Sequence, residues 1–273
     1  MAMKSVNYST GLLTLVATLW LSGCATKVAQ PEQAEPESQD KISALLKPAS
    51  DKPELQPTES YLPRQQKDPQ GQWLAYEPQK NPYLVNKSQV NKGSVLLFIE
   101  AQQAWRAEDF ATVEQKLGVI INNDKKLSGP WVMKARLALR NEKYKEAEQH
   151  LLQAISLNSN NVNAYTLLAQ TQRLQGKYFH AQNTLAEALK LWSDFPEAHY
   201  NLAIIYDAYL NKEPQAQQHL EAFMFLEKDV DPKDFNWLQD IASRTGIRES
   251  QVGQLTNPSK FLQQAADTVA VEQ

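Results

Sequence analysis

Four histidines, one cysteine and 31 acidic side chains are the groups through which this 273-residue chain could do metal, nucleophilic or acid–base chemistry. His150, His180, His199 and His219 stand at neither His-x-x-x-His nor Glu-x-x-His spacing, the patterns that place two metal ligands on one helix face. Cys24 is alone, so neither a disulfide nor a cysteine-held metal is available. There is no Gly-rich phosphate loop and no Gly-x-Ser-x-Gly elbow. The carboxylates fall at solvent-facing helical positions. The expectation is a chain with no catalytic residues, no metal and no cofactor. With 28 Lys and Arg against the 31 acids the net charge is −3, so no basic field points to nucleic acid.

What remains is a repeat. Shifted by 34 residues, the spacing of a two-helix unit, the chain overlays itself from Ser94 to Leu226. Ala101, Ala135, Ala169 and Ala203 coincide, as do Phe110, Tyr144 and Tyr178, then Leu117, Leu151 and Leu185, then Ala154 and Ala188. Trp131, Tyr165 and His199 form a further column. Apolar residues recur at helical spacing within each unit, as at Leu151, Ala154 and Ile155. The reading is all-α, with helix pairs at Val95–Ala107 and Phe110–Ile121, Gly129–Asn141 and Tyr144–Leu157, Asn163–Gln175 and Tyr178–Leu191, and Glu197–Leu210 and Pro214–Leu226. Pro130 and Pro196 sit at helix starts, where a missing donor costs nothing. Ala216, Leu220 and Phe223 arrive one residue late, so an insertion is expected around Asn211–Pro214. An array leaves its last apolar face open. Asp234–Arg244, with Phe235, Leu238, Ile241 and Ala242 on one side, is the expected cap.

The columns resemble the tetratricopeptide (TPR) signature, best kept in Tyr165, Leu168-Ala169, Gly176-Lys177-Tyr178, Ala181, Leu185 and Ala188. That resemblance implies an α-solenoid whose first helices line a concave protein-binding face. Carrying the family's groove positions across gives Gln102, Trp105 and Arg106 from the first unit and Arg136 and Arg140 from the second. The third gives Asn163, Thr166, Gln170 and Arg173, and the fourth Tyr200, Asn201 and Asp207. Arginines there suit the carboxylates of an acidic peptide, amides its backbone, and Trp105 and Tyr200 its side chains. The Lys and Asn pattern of the co-chaperone carboxylate clamp is not reproduced.

The first 23 residues read as an export signal, with Lys4 before the apolar run Leu12–Leu21, which is too short to span a bilayer. Leu21-Ser22-Gly23-Cys24 resembles the lipobox of bacterial lipoproteins. The resemblance implies a chain acylated at Cys24, and Ala25, in place of Asp, implies the outer membrane rather than the inner. Residues 24–92 read as a disordered Pro/Gln-rich tether spanning roughly 45 Å. Within it, Trp73–Tyr76 and Pro82–Val85 are apolar islands able to dock on the array or a partner. The repeat domain runs over 94–244. A weakly ordered tail follows over 245–273, with a short helix at Ser259–Val269. Anchor and array together look similar to TPR lipoproteins that help envelope machines form, such as type IV pilus secretins, and to TPR partners of TonB-type systems. A regulator of cell-wall hydrolases and a polysaccharide-export accessory protein are the alternatives.

Overall fold

The computed structural model describes residues 52–85, 90–227, 229–250 and 252–253. The export signal, Cys24, the first part of the tether and the helix expected at Ser259–Val269 lie outside the described residues. Among the described residues, nine helices of 12 to 15 residues form four antiparallel pairs and a final single helix. They are α1 (Lys92–Arg106) with α2 (Phe110–Asn123), α3 (Gly129–Arg140) with α4 (Tyr144–Leu157), and α5 (Val162–Leu174) with α6 (Tyr178–Leu191). The fourth pair is α7 (Pro196–Ala208) with α8 (Glu213–Leu226), and α9 (Pro232–Thr245) follows. No strand occurs among the described residues; Lys67 and Trp73 form one isolated antiparallel bridge.

Local chemistry sets these ends. Asn91, Asp109 and Asp231 each accept a bond from a backbone N–H in the first turn of α1, α2 and α9, satisfying an orphan donor. Gly246 ends α9 in the left-handed region at φ 71°, which costs glycine nothing. Within the pairs, the turns of the first three units are built alike. The backbone N–H groups of Asp109, Lys143 and Lys177 donate to Ala104, Ala138 and Gln172, each five residues back. One residue per turn takes positive φ, namely Glu108, Glu142 and Gly176. In the fourth unit the equivalent bond runs from Lys212 to Tyr206, six residues back, and Asn211 holds the left-handed position. The expected insertion is there. It accounts for Ala216 and Leu220 being fully buried one residue late.

Packing follows the columns. Ala101, Ala135, Ala169 and Ala203 are 0–1% exposed, because a methyl is all that fits where helix backbones approach closely. Leu117, Leu151, Leu185 and Leu220 are all at 0%. Burying each is worth about 2 kcal/mol. One core continues from α3 to α9, and a smaller one joins α1 and α2 to Met133 and Leu137 of α3. Against the end of the large core lies α9, with Ile241 fully buried and Phe235 and Leu238 half-buried, as a cap requires.

Residues 52–85 differ from the tether expected there. They form a strap laid on the array. The amide of Asn183 donates to Glu54 O and its oxygen accepts from Gln56 N, while Gln182 Nε2 donates to Gln56 O. Thr58 is fully buried between α7 and α8, and Leu62 joins Ala222, Phe225 and Val252 in a small cluster. A tight turn at Asp68–Gln72 follows, with Lys67 Nζ 4.3 Å from the Trp73 ring. From there Tyr76 OH donates to Asp194 at 2.6 Å, Gln79 N donates to the other oxygen of the same carboxylate, and Trp192 Nε1 donates to Gln79 O. Of the two apolar islands, Tyr76 thus docks on the array, and the one-turn helix Pro82–Val85 brings Tyr83 beside Phe98 and Gly129. The strap docks although rich in proline because proline fixes φ beforehand, so less entropy is lost on docking an extended segment. The first part of the tail is also held, with Gln217 Nε2 donating to Ile247 O and Gln65 N to Val252 O.

Candidate functional site

The first helices of the pairs stand side by side. Between α1 and α3, reaching the start of α5, they enclose an open cavity of about 370 Å³. Its walls bring together Gln102, Trp105 and Arg106 of α1, Arg136 of α3 and Asn163 of α5. Five of the twelve residues that the groove positions nominated therefore share one cavity. Neither Arg106 nor Arg136 has an ion pair among the described residues, and both are exposed. Trp105 is held edge-on to Phe110 at 5.4 Å between ring centroids, which fixes its indole without a polar partner.

Phe98, Val132, Met133 and Tyr83 supply the apolar floor, and Asn161 enters from the loop before α5. Asn161 is 2% exposed, its Nδ2 donates to Ser128 Oγ at 3.0 Å, and its Oδ1 has no partner. A buried acceptor left unmade costs about 1–3 kcal/mol, which a ligand N–H would recover. Sequence reasoning missed these lining residues. The signal for two of them was present, since Phe98 and Val132 extend the 34-residue column of Thr166 and Tyr200.

The other nominated residues point elsewhere. Arg140 stacks its guanidinium 4.0 Å over the Phe110 ring, outside the cavity. Thr166 turns its hydroxyl back to Asn163 O, Asn201 its amide to Glu197 O, and Gln170 is exposed. Arg173 donates to Tyr209 OH at 3.2 Å, and Tyr209 in turn stacks on Tyr178. In the fourth unit the cap consumes the groove residues. Tyr200 OH donates to Asp234 at 3.3 Å and its ring packs on Phe223 and Trp237. Asp207 accepts from Trp237 Nε1 and from Arg244, each at 2.7 Å. Burial raises the Asp234 carboxyl above its ordinary range and raises the Tyr200 phenol as well. Tyr200 and Asp207 thus seat α9 where the groove positions placed a ligand contact. The free part of the groove is its amino-terminal half.

Among the described residues, no group of three or more His, Cys, Asp or Glu could hold a metal ion. No described helix is long and apolar enough to cross a membrane. The family model of the tetratricopeptide repeat matches residues 129–161, the span of α3, α4 and the turn between them. Residues 129–161 thus carry a tetratricopeptide repeat. No curated protein matches it by sequence. Among solved structures it is similar to BtubC (BKLC) from P. vanneervenii, at 16% identity and a TM-score of 0.50 over 66% of this chain and 82% of that one. It is similar too to MamA from Desulfovibrio magneticus RS-1, at 13% identity and a TM-score of 0.49 over 67% of this chain and 97% of that one. Pseudomonas aeruginosa pilF aligns at 14% identity and a TM-score of 0.46, over 64% of this chain and 80% of that one.

Proposed function

We propose that this TPR protein is a lipid-anchored adaptor facing the periplasm from the outer membrane, which takes an extended acidic peptide segment of an envelope protein into the amino-terminal half of its groove. The observation that carries the reading is the cavity between α1 and α3. Two guanidinium groups without an ion pair among the described residues, a fixed indole, a Gln amide and a buried unpartnered Asn161 oxygen line one volume. The arginines suit carboxylates, Asn161 Oδ1 and Gln102 suit peptide N–H groups, and Trp105 with Phe98 suits an apolar side chain. No carboxylate, histidine or cysteine is among the described residues lining the cavity, which suits a site that holds its ligand.

The process follows from the anchor as much as from the groove. Leu21-Ser22-Gly23-Cys24 followed by an array fits a lipoprotein that supports assembly of an envelope machine, of the type IV pilus secretin or TonB-type kind. A photocrosslinking side chain placed at Gln102 in intact cells should capture one defined envelope protein, and the same group at Gln170 should not. Capture from Gln170 alone would move the site out of the cavity. The anchor is tested separately. Cys24→Ser should move the protein from the membrane to the soluble fraction, and continued membrane fractionation would refute acylation at that position.

A further inference from the structure

Where the Trp131–Tyr165–His199 column reaches the fourth repeat it changes from aromatic to imidazole. His199 and His219 are both fully buried, with their Nδ1 atoms 2.8 Å apart. The hydrogens on this pair are fixed by their neighbours. His199 Nε2 lies 2.8 Å from Ser193 O, and a carbonyl only accepts, so the His199 proton is on Nε2. His199 Nδ1 is therefore an acceptor, and His219 Nδ1 donates to it. His219 Nε2 then has only a lone pair, and Thr58 Oγ1 donates to it at 2.7 Å. Tyr206 OH donates in turn to Thr58 Oγ1 at 2.9 Å, and Gln182 Nε2 to Tyr206 OH at 2.8 Å. The chain of bonds runs one way from α6 to the carbonyl of Ser193, and every imidazole nitrogen in it is used once.

We infer that this relay is an acid-sensitive latch, in which protonation of the His199–His219 pair expels Thr58 and releases the strap around Glu54–Leu62 from α6, α7 and α8. The relay has no acceptor for an added proton. On His199 Nδ1 it would face the His219 N–H at 2.8 Å. On His219 Nε2 it would remove the acceptor of the Thr58 hydroxyl proton, since Tyr206 OH already donates to that oxygen. The charge would be buried as well. Asp194 is the carboxylate that acts on His199, but Tyr76 OH and Gln79 N already occupy its two oxygens. His219 feels only the like charge of His199, the Tyr206 ring stacks on it at 5.6 Å, and Glu59 of the strap acts on Tyr206. The strap is the part that yields. Side-chain amides hold it at Glu54 and Gln56, whereas α7 and α8 share the packed core.

Burial holds His199 at about 4 and His219 well below its ordinary 6.5. Both pKa values are depressed in the closed state, so the open state binds more protons. Closure is at full strength above pH 6.5 and is lost as pH falls from there towards 4. If Cys24 is the anchor, release lengthens the chain between lipid and first repeat, so reach becomes pH-dependent. That consequence rests on the proposed anchoring, whereas the latch does not.

The test is amide hydrogen exchange on the full chain at pH 7 and pH 5, corrected for the intrinsic rate. Protection over 54–65 should fall by as much as about twenty-fold per imidazole that titrates between these limits, while α3 and α4 stay protected. Equal strap protection at both pH values, or loss of strap and repeats together, would overturn the latch. His219→Gln should flatten the pH dependence of the strap, and a dependence of native size would refute the pair as its origin. Should that variant not fold, proton resonances of His199 and His219 in the native chain decide. Titration in step with strap opening supports the latch, and titration near 6.5 with the strap closed overturns it. Cys24→Ser should give the same exchange, so failure of the anchor and failure of the latch are distinguishable.

Discussion

Ala169→Trp should destabilise the array by about 3 kcal/mol or more, at the upper end of what overpacking a core costs. Ala169 is 1% exposed in the continuous core, in the column where Ala101, Ala135 and Ala203 are equally enclosed. An indole has no rotamer there that avoids a neighbouring helix. Moving that helix would carry the strain through α4 and α6, since each unit of a solenoid is supported only by those beside it. For a chain of this size the loss corresponds to a fall of about 6–12 °C in the melting midpoint, read by circular dichroism. Gln170→Trp, one residue on and exposed, should leave the midpoint unchanged. Equal losses from the two variants would remove the register on which the whole repeat assignment stands.

That register was legible because periodic burial leaves periodic sequence. Alanine recurs where backbones touch and leucine where a pair closes, so helix ends came within three residues and even the extra residue before α8 was visible. The strap left no such trace. Its contacts, Thr58, Leu62 and Tyr76, come at irregular spacing, and much of its hold is backbone bonding to Gln182 and Asn183, which no pattern in residues 52–85 records. Its proline density reads as disorder when the groove that receives it is not in view. His199 was placed correctly as a packing residue. Its role in a relay depends on His219 and Thr58, which are respectively 20 and 141 positions away.

The groove was half legible for a related reason. Column position says which side of a helix a residue occupies, not what else will stand there. Gln102 and Arg136 share a column and a cavity, whereas Tyr200 shares its column with Phe98 and Val132 but meets α9 instead of solvent. An array that ends must cover its last unit, so the cap takes the contacts that a ligand finds in an interior unit. Arg173 is lost to the site in the same way, by the Tyr209 hydroxyl that the lengthened fourth turn carries.

Reversing Arg106 and Arg136 together to Glu should therefore abolish capture of the partner, while Arg173→Glu should leave it nearly intact. Charge-assisted bonds from one arginine are worth about 1.5–3 kcal/mol, so losing one weakens binding by roughly ten- to a hundred-fold. Two reversals add repulsion to two losses, and binding should drop below detection. Folding should be unchanged, because both residues are exposed and without an ion pair among the described residues. Arg173→Glu should instead cost a little stability, since its guanidinium packs on Tyr209. Raising the salt concentration should mimic the double reversal in part, as partly exposed charges are screened. If the double variant captures its partner as well as the native chain does, the arginines only solubilise the surface. Binding would then rest on the apolar walls around Phe98, and Trp105→Ala would become the substitution that removes it.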